Sequence, residues 1–185
     1  MMIQMELLED TILGNGQSIP GEEDISVLRD EEGFPYYHGS TLKGIFREEL
    51  HRLLQWKGEE NPTYIERQLL GEGGANHSAE PRKLVFSDFV VSEYVRNRVL
   101  EETTDPNEIL DAFSSLRTFT KINENGTVSA GSLRMARCIN AGIRLFGEIL
   151  CKQEDEKLVE EVLGLIHWVG TMRNRGFGRI RLQKV

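Results

Sequence analysis

The sequence predicts an α+β fold of the ferredoxin-like (RRM-like) βαββαβ type, in which helices cover one face of an antiparallel sheet. Two amphipathic segments, at residues 39–56 and 154–169, have the apolar spacing of helices, and strand-like patterns precede, separate and follow them. The chain has 185 residues, which is enough to bury the core of one domain. We therefore expect a single domain over residues 1–185, with loop and hairpin insertions.

The N-terminal part of the chain predicts a strand, a long loop and the first helix. Residues 2–13 alternate loosely between apolar and polar side chains and should form the strand, which a Gly-Asn-Gly turn ends. A polar, acidic loop follows over residues 17–32. The helix at 39–56 has Ser40 and Thr41 as candidate N-caps.

The remainder of the chain alternates strand patterns with helices and one hairpin. An Asn-Gly pair is a strong hairpin turn, so residues 117–133 should form an extended, thumb-like hairpin around Asn125 and Gly126. The other predicted elements, in chain order, are a short helix at 62–70, a strand at 83–92, an irregular segment at 93–116 with a helix around 107–116, a strand or bent pair of strands at 134–151, the helix at 154–169 and a strand at 177–185. This order matches the βαββαβ plan with insertions.

Cysteine use and hydropathy limit which classes of protein the chain can belong to. Cys138 and Cys151 have neither a CxxC spacing nor a nearby histidine pair, so zinc is not expected, and low cysteine use suits a reducing cytoplasm. No apolar run is long enough for a membrane span, and the start MMIQMELLED lacks a signal-peptide pattern. We expect a cytoplasmic protein with no membrane partner.

The charge distribution matters more than the net charge of −8, which by itself argues against nucleic-acid binding. Residues 170–185 contain five lysines and arginines and no acid, and residues 117–137 contain four against one acid. The acids cluster elsewhere, notably at 101–111. Local basic faces can hold RNA whatever the total charge, although solvated surface charge gives the same pattern.

The C-terminal segment GTMRNRGFGRI, residues 170–180, interleaves glycines with arginines. Glycine permits positive φ and close backbone approach, and guanidinium groups match phosphate oxygens. Such a loop can hold a sugar-phosphate backbone, or it can be a turn with solvated arginines.

The start of the 39–56 helix carries a second basic pair. Lys43 and Arg47 are four residues apart, and cations near a helix N-terminus oppose the helix dipole. Because helix N-termini bind phosphate, this pattern indicates that an anion is expected at this end. A surface Lys/Arg pair is the alternative.

Three segments together resemble a known family. DISVLRDEEGFPYYHGSTLKG at 24–44 is similar to a loop that leads into "GSSLKG" at the start of a helix, VFSD at 85–88 is similar to a phenylalanine-aspartate strand, and RGFG at 175–178 matches an "RGxG" loop. The family is the RAMP superfamily of CRISPR effector proteins. Within it the chain most resembles the backbone subunit of type III (Csm/Cmr-like) complexes. His38 replaces a proline usual in that family, and 117–133 would make a small thumb.

The resemblance implies a specific function. Such subunits stack along a guide RNA, whose backbone lies in a groove between the first helix and the Gly-rich loop. A thumb-like hairpin kinks the guide–target duplex, and in cleaving members an aspartate supports metal-dependent scission of target RNA. By position that aspartate is Asp24, which would act with Mg²⁺ or another divalent cation. Glu22 and Glu23 would attract the cation, or else form a solvated acidic loop.

The expected partners are guide RNA, target RNA, other type III effector subunits and copies of the chain itself. The expected RNA-binding residues are Ser40, Lys43, Arg47, Arg117, Lys121, Arg134, Arg173, Arg175, Gly176, Gly178 and Arg179. The resemblance implies that the catalytic residue and metal ligand is Asp24.

Three alternatives stay open from the sequence. The chain is a structural RAMP subunit that does not cleave, a guide-RNA-processing endoribonuclease with His38 or His51 as general base, or an RNA-independent protein whose RGFG loop binds a nucleotide or makes a turn. Salt-sensitive RNA binding separates the last from the others. Loss of cutting on Asp24→Ala, rather than on His38→Ala or His51→Ala, separates target cleavage from guide processing.

Overall fold

A computed structural model of the chain describes residues 1–19, 23–71, 84–120, 125–126 and 132–185. Its strands are β1 (Met2–Leu7), β2 (Tyr36–Tyr37), β3 (Val85–Phe86), β4 (Phe89–Val91), β5 (Ser114–Phe119), β6 (Arg134–Ile139), β7 (Arg144–Leu150) and β8 (Ile180–Lys184). Its helices are α1 (Gly39–Trp56), α2 (Pro62–Leu70), α3 (Glu93–Leu100), α4 (Pro106–Phe113) and α5 (Glu156–Leu163).

The main sheet has the strand order β2-β4-β7-β1-β8, and β3 pairs with one end of β7. All of these neighbours are antiparallel; at the centre of the sheet, Met5 of β1 lies between Leu145 of β7 and Leu182 of β8. With α1 after β1 and α5 after β7, the strands β1, β4, β7 and β8 form the βαββαβ plan. The predicted ferredoxin-like fold is therefore confirmed.

The main core lies between one face of this sheet and the helices. Leu42, Phe46 and Leu50 recur at helical spacing on α1 and are completely buried. They meet inward residues of the sheet, among which Met5 and Phe89 are also completely buried. The α1 bounds match the prediction because this spacing is a local property of the sequence.

Several predicted boundaries were wrong. The first strand ends at Leu7, and α5 ends at Leu163, although Ile166 and Val169 stay buried because the chain after the helix continues across the same core. The stretch 93–116 is more regular than predicted: the helix expected around 107–116 is present as α4, and a further helix precedes it. It holds α3, which Ser92 caps, and α4, which Asp105 caps, followed directly by the start of β5. Both caps are local signals that the sequence carried.

The predicted strand at 134–151 is two strands in different sheets. β6 pairs with β5 in a separate two-stranded sheet, whereas β7 lies at the centre of the main one. The β5–β6 pairing begins at Ser114 and ends at Ile139, so the hairpin is longer than the predicted 117–133; most of its tip lies outside the described residues. No helix in the described part of the chain is long and apolar enough to cross a membrane.

Candidate nucleic-acid interface

A cleft of about 300 Å³ lies between α1 and the Gly-rich loop, here defined as residues 170–178. One wall comes from Thr41, Ile45 and Glu48, which are successive positions on one face of α1. The opposite wall comes from the Gly-rich loop. The remaining lining residues are Leu13, Gly14, Leu28, Tyr37, Gly170, Thr171 and Arg173.

The two ends of the Gly-rich loop are fixed by backbone hydrogen bonds to a single extended segment. The Thr171 N–H donates to Ile12 O over 3.2 Å, and the Gly178 N–H donates to Asp10 O over 3.0 Å. Gly178 has a φ of 83°, and a Cβ there would lie 2.1 Å from Val169 O, so no other residue fits. The loop is thereby closed at its base and projects its arginines outward.

A short 3₁₀ turn at Arg173–Arg175 forms the tip of the Gly-rich loop. Arg173 and Arg175 are both exposed there, and Arg173 also lines the cleft. Gly176 has a φ of 85°, but a Cβ added to it would meet nothing within 4 Å, so this glycine serves the turn rather than a close approach. Two exposed guanidinium groups beside a cleft suit a polyanion.

Tyr37 is a residue of the cleft that sequence reasoning missed. Its side chain is buried, and its hydroxyl has no hydrogen-bond partner among the residues that the structure describes. Burial raises the pKa of Tyr37 to about 12, and the nearby Arg173 charge acts in the opposite direction. The sequence signal for a buried tyrosine was the Tyr-Tyr pair before α1. Because neighbouring strand residues point to opposite faces, one of the two tyrosines had to face inward.

A carboxylate from elsewhere in the chain contacts the N-terminus of α1. His38 is the N-cap, so the predicted caps Ser40 and Thr41 were wrong. The Gly39 N–H donates to Asp88 Oδ1 over 2.8 Å, and a Cβ on Gly39 would lie 2.2 Å from Ser87 O. An anion was expected at this helix N-terminus, and the chain itself places one there, the carboxylate of Asp88 in the VFSD segment.

The basic residues of α1 do not line the cleft. Arg47 donates through Nη2 to Gly71 O over 3.0 Å and so contacts the end of α2. Ser40 is exposed and Lys43 is half-buried on the first turns of α1, outside the face that Thr41 and Ile45 present to the cleft.

The acidic loop around Asp24 lies against the hairpin. The Asp24 N–H donates to Met135 O over 2.8 Å, and the Met135 N–H donates back to Asp24 Oδ2 over 2.7 Å. Ile25 forms a parallel bridge with Ala136. Asp24 itself is exposed, so one carboxylate oxygen is used by the backbone of β6 while the residue as a whole faces solvent.

Glu23 does not face solvent beside Asp24. Its side chain is buried, and Oε2 accepts a hydrogen bond from Arg137 Nε over 2.7 Å. The expectation of a solvated or cation-attracting Glu23 was therefore wrong, because a buried carboxylate needs a charged partner and Arg137 supplies it. Glu22 lies outside the described residues.

Among the described residues, no three His, Cys, Asp or Glu side chains gather into a metal site. A single exposed carboxylate still fits Mg²⁺, which is commonly bound through one or two carboxylates together with substrate phosphates and water. A cation at Asp24 would therefore take most of its ligands from bound RNA.

A second, small core brings these separate segments together. Ile12, Ala136 and Cys138 are buried at its centre. Phe119 of β5 and Phe177 of the Gly-rich loop pack edge to face, with ring centroids 5.6 Å apart. The residues packed around the centre are Ile25, Phe119, Met172 and Phe177. The acidic loop, the hairpin and the Gly-rich loop thus share one apolar contact.

Of the other lysine and arginine side chains predicted to bind RNA, those that the structure describes do not line this cleft. Arg117 of β5 donates through Nε to Asp10 Oδ2 over 3.1 Å, and Arg134 is exposed at the start of β6. Arg179 lines a different cleft, with His167 and Trp168 beside β8. Lys121 lies outside the described residues.

Neither candidate histidine lines the cleft. His51 contacts Glu66 through Nδ1, and its Nε2 lies 2.9 Å from Gln55 Nε2. His38 Nδ1 lies 3.5 Å from Asp88 Oδ2 at the α1 N-terminus.

Comparisons with known proteins identify the family. The model of the RAMP superfamily matches residues 4–181. A subunit in a cryo-EM structure of the type III-B Cmr-beta bound to cognate target RNA aligns with a TM-score of 0.69 at 14% identity, covering 98% of this chain and 95% of that one. A subunit of the apo state of Cmr-beta aligns with a TM-score of 0.70 and the same identity and coverage. No match was found among curated proteins. Because the family model spans nearly the whole sequence, the chain belongs to the RAMP superfamily.

Proposed function

We propose that this chain is an RNA-binding subunit of a type III CRISPR ribonucleoprotein. It stacks with copies of itself and with other effector subunits along a guide RNA in the cytoplasm, and it cleaves the bound target RNA. Membership of the RAMP superfamily supports this proposal, as does the likeness in fold to subunits of Cmr-beta, one structure of which contains cognate target RNA.

The observation that carries RNA binding is the cleft between α1 and the Gly-rich loop. Arg173 supplies a positive charge at its edge, and the Tyr37 hydroxyl is a buried polar group with no partner among the described residues. Buried hydroxyls are nearly always hydrogen-bonded, so an orphan beside an open cleft points to a ligand with polar oxygens. A sugar-phosphate backbone supplies both the oxygens and the charge that Arg173 and Arg175 match.

Binding is tested with the double variant Arg173→Ala/Arg175→Ala and a labelled guide RNA. Removing two phosphate contacts should reduce the slope of log affinity against log salt by about 1.4, since each contact to a single strand contributes about 0.7. The matched control is Arg144→Ala/Arg181→Ala, which removes two exposed arginines that pair with Glu6 on the open face of the sheet. Equal slopes for the wild type and the Gly-rich-loop variant would contradict binding in the cleft.

The proposed cleavage depends on Asp24. The Met135 N–H holds Oδ2 and so orients the carboxylate, and Oδ1 accepts no hydrogen bond from the described residues and can face RNA or a cation. In this position the carboxylate can orient or deprotonate the ribose 2′-hydroxyl, whose oxygen attacks the adjacent phosphorus. A 2′,3′-cyclic phosphate forms, the P–O5′ bond breaks, and the 5′-oxygen takes a proton from water to leave as a hydroxyl. A divalent cation, when bound, would stabilise negative charge on the scissile phosphate.

Asp24→Asn is the sharper variant for testing cleavage, because the asparagine oxygen can still accept the Met135 N–H whereas alanine cannot. We expect the assembled complex, with guide RNA, partner subunits and Mg²⁺, to lose cutting by about 100-fold or more while target binding is unchanged. Asp105→Asn, a helix-capping aspartate of α4, is the control for a carboxylate removed elsewhere.

The alternative is a structural subunit that binds RNA without cutting it, and it is favoured by the lack of a metal cluster among the described residues. Binding without cutting by both the wild type and Asp24→Asn would establish it. Loss of cutting on His38→Ala or His51→Ala, with Asp24→Asn active, would indicate a guide-processing enzyme instead.

A further inference from the structure

The acidic loop joins the β5–β6 hairpin almost as a third strand. The Asp24 N–H donates to Met135 O, and the Arg137 N–H donates to Ile25 O over 3.0 Å. The Ile25 N–H also donates to Met135 O over 3.2 Å, and the Met135 N–H donates to the Asp24 carboxylate, so four hydrogen bonds connect residues 24–25 to β6. The position of Asp24 is therefore defined by the hairpin rather than by the main sheet.

A buried ion pair reinforces this connection. The Glu23 side chain is 1% exposed and accepts from Arg137 Nε, as described above. Arg137 Nη1 lies 3.0 Å from Ser114 Oγ and 2.5 Å from Asp111 Oδ1. One guanidinium on β6 thus connects the acidic loop to the start of β5 and to α4.

Stability alone does not explain this ion pair. Glu23 Oε1 is buried and has no hydrogen-bond partner in the part of the chain that the structure describes. Buried ion pairs are often no more stable than apolar side chains of similar volume, because desolvation offsets their attraction. A pair with one unsatisfied oxygen is even less favourable, so a role in holding a geometry accounts for it better.

We propose that the Glu23–Arg137 ion pair positions the Asp24 carboxylate relative to the hairpin, and so selects which phosphodiester of the bound target is presented to Asp24. This inference rests on the proposed cleavage function. Glu23 and Arg137 are positioning residues, since they act through Asp24 and touch no reacting atom. The pair would govern where the target is cut as well as how fast.

The test compares the wild type with Arg137→Met in the assembled complex, using guide RNA, target RNA and Mg²⁺. Single-turnover cutting should slow by about 100-fold, the cost of a small misplacement of a catalytic group, while target affinity is unchanged. Cuts should also spread to neighbouring phosphodiesters. Arg137→Lys keeps a charge opposite Glu23 and should restore most of the rate. An unchanged rate and cut position in Arg137→Met would overturn the inference.

Arg96→Met is the matched control. Arg96 is also a partly buried arginine that pairs with two acids, but these are Asp30 and Glu32 at the far end of the acidic loop from Asp24, and its guanidinium lies over the Phe34 ring. Its loss should lower stability without moving the cut. A shift of the cut in Arg96→Met as large as that in Arg137→Met would mean that general destabilisation is the cause, and would overturn the inference.

Hydrogen exchange of the full chain without RNA separates this inference from the cleavage proposal. The amides of Asp24, Ile25 and Arg137 should exchange faster in Arg137→Met, whereas amides of β1 and β7 should not change. If the wild type cuts no RNA, the cleavage proposal fails, yet the exchange rates still test the link between loop and hairpin. Equal exchange in the two proteins would overturn it.

Discussion

The main sheet and the hairpin are stabilised by different forces. The main sheet buries a large continuous apolar core, which includes Phe46 and Leu50 of α1. The small core under the hairpin has three buried residues at its centre, and it is supplemented by the Glu23–Arg137 pair and by the more exposed pair of Arg117 with Asp10.

Because of this difference, Asp24 lies on the less stable of the two regions, the hairpin with its acidic loop. Apolar burial is non-directional and little affected by salt, whereas exposed ion pairs are screened and contribute at most about 1 kcal/mol. The hairpin and acidic loop should therefore open at lower free energy than the main sheet, as segments that bind ligands commonly do. Four changes test this comparison.

The largest effect is expected from Phe46→Ala in the main core. Phe46 is completely buried and packs edge to face on Phe86, so the variant leaves a cavity. The free energy of unfolding, measured in urea, should fall by about 3–5 kcal/mol. Arg181→Ala on the exposed face should change it by about 0.5 kcal/mol or less. A loss below about 1 kcal/mol for Phe46→Ala would mean that the main core is not the dominant source of stability.

Gly178→Ala should have the next largest effect, because it combines positive φ with a clash against Val169 O at 2.1 Å. We expect a loss of about 2–4 kcal/mol together with weaker RNA binding, since the base of the Gly-rich loop must move. Gly176→Ala shares the positive φ but meets nothing within 4 Å, so it should cost about 1 kcal/mol. Urea unfolding of the two variants provides the comparison, and equal losses would contradict it.

Phe119→Ala should affect the hairpin and leave the main sheet nearly unchanged. Removing the contact between Phe119 and Phe177 should ease local opening by about 1.4 kcal/mol, so a thiol reagent should label the buried Cys138 about tenfold faster. Cys151, which follows β7, is the internal control and should react at the wild-type rate. Faster labelling of both cysteines would indicate global rather than local opening.

The last test changes the pH and probes the thiol buried in the small core. Burial raises the pKa of Cys138 from 9.0 to about 11. Because the folded protein holds the neutral thiol, the associated stability is present below pH 9 and is lost as pH rises towards 11. The unfolding free energy of the wild type should therefore fall more steeply over this range than that of Cys138→Ala. Parallel curves would show that the thiol does not titrate on unfolding.

The elements that could be predicted are those whose signals are local. The α1 helix follows from apolar spacing within 39–56, and the hairpin follows from an Asn-Gly pair, although its strands extend beyond the predicted range. The Gly-rich loop was recognisable because positive φ and close approach both require glycine, as at Gly178. These properties depend on neighbours in sequence and were readable without a structure.

The sequence by itself thus determined the βαββαβ order of the main strands and helices, the family resemblance and the residue types available for RNA. Only the tertiary structure decided how those residues are used. Glu23 and Arg137 are 114 positions apart, yet they form a buried pair, while Asp88 rather than Ser40 satisfies the start of α1. The reason is physical: the pairing of a charge and the burial of a hydroxyl such as that of Tyr37 depend on which distant segments meet, and spacing along the chain does not specify those contacts.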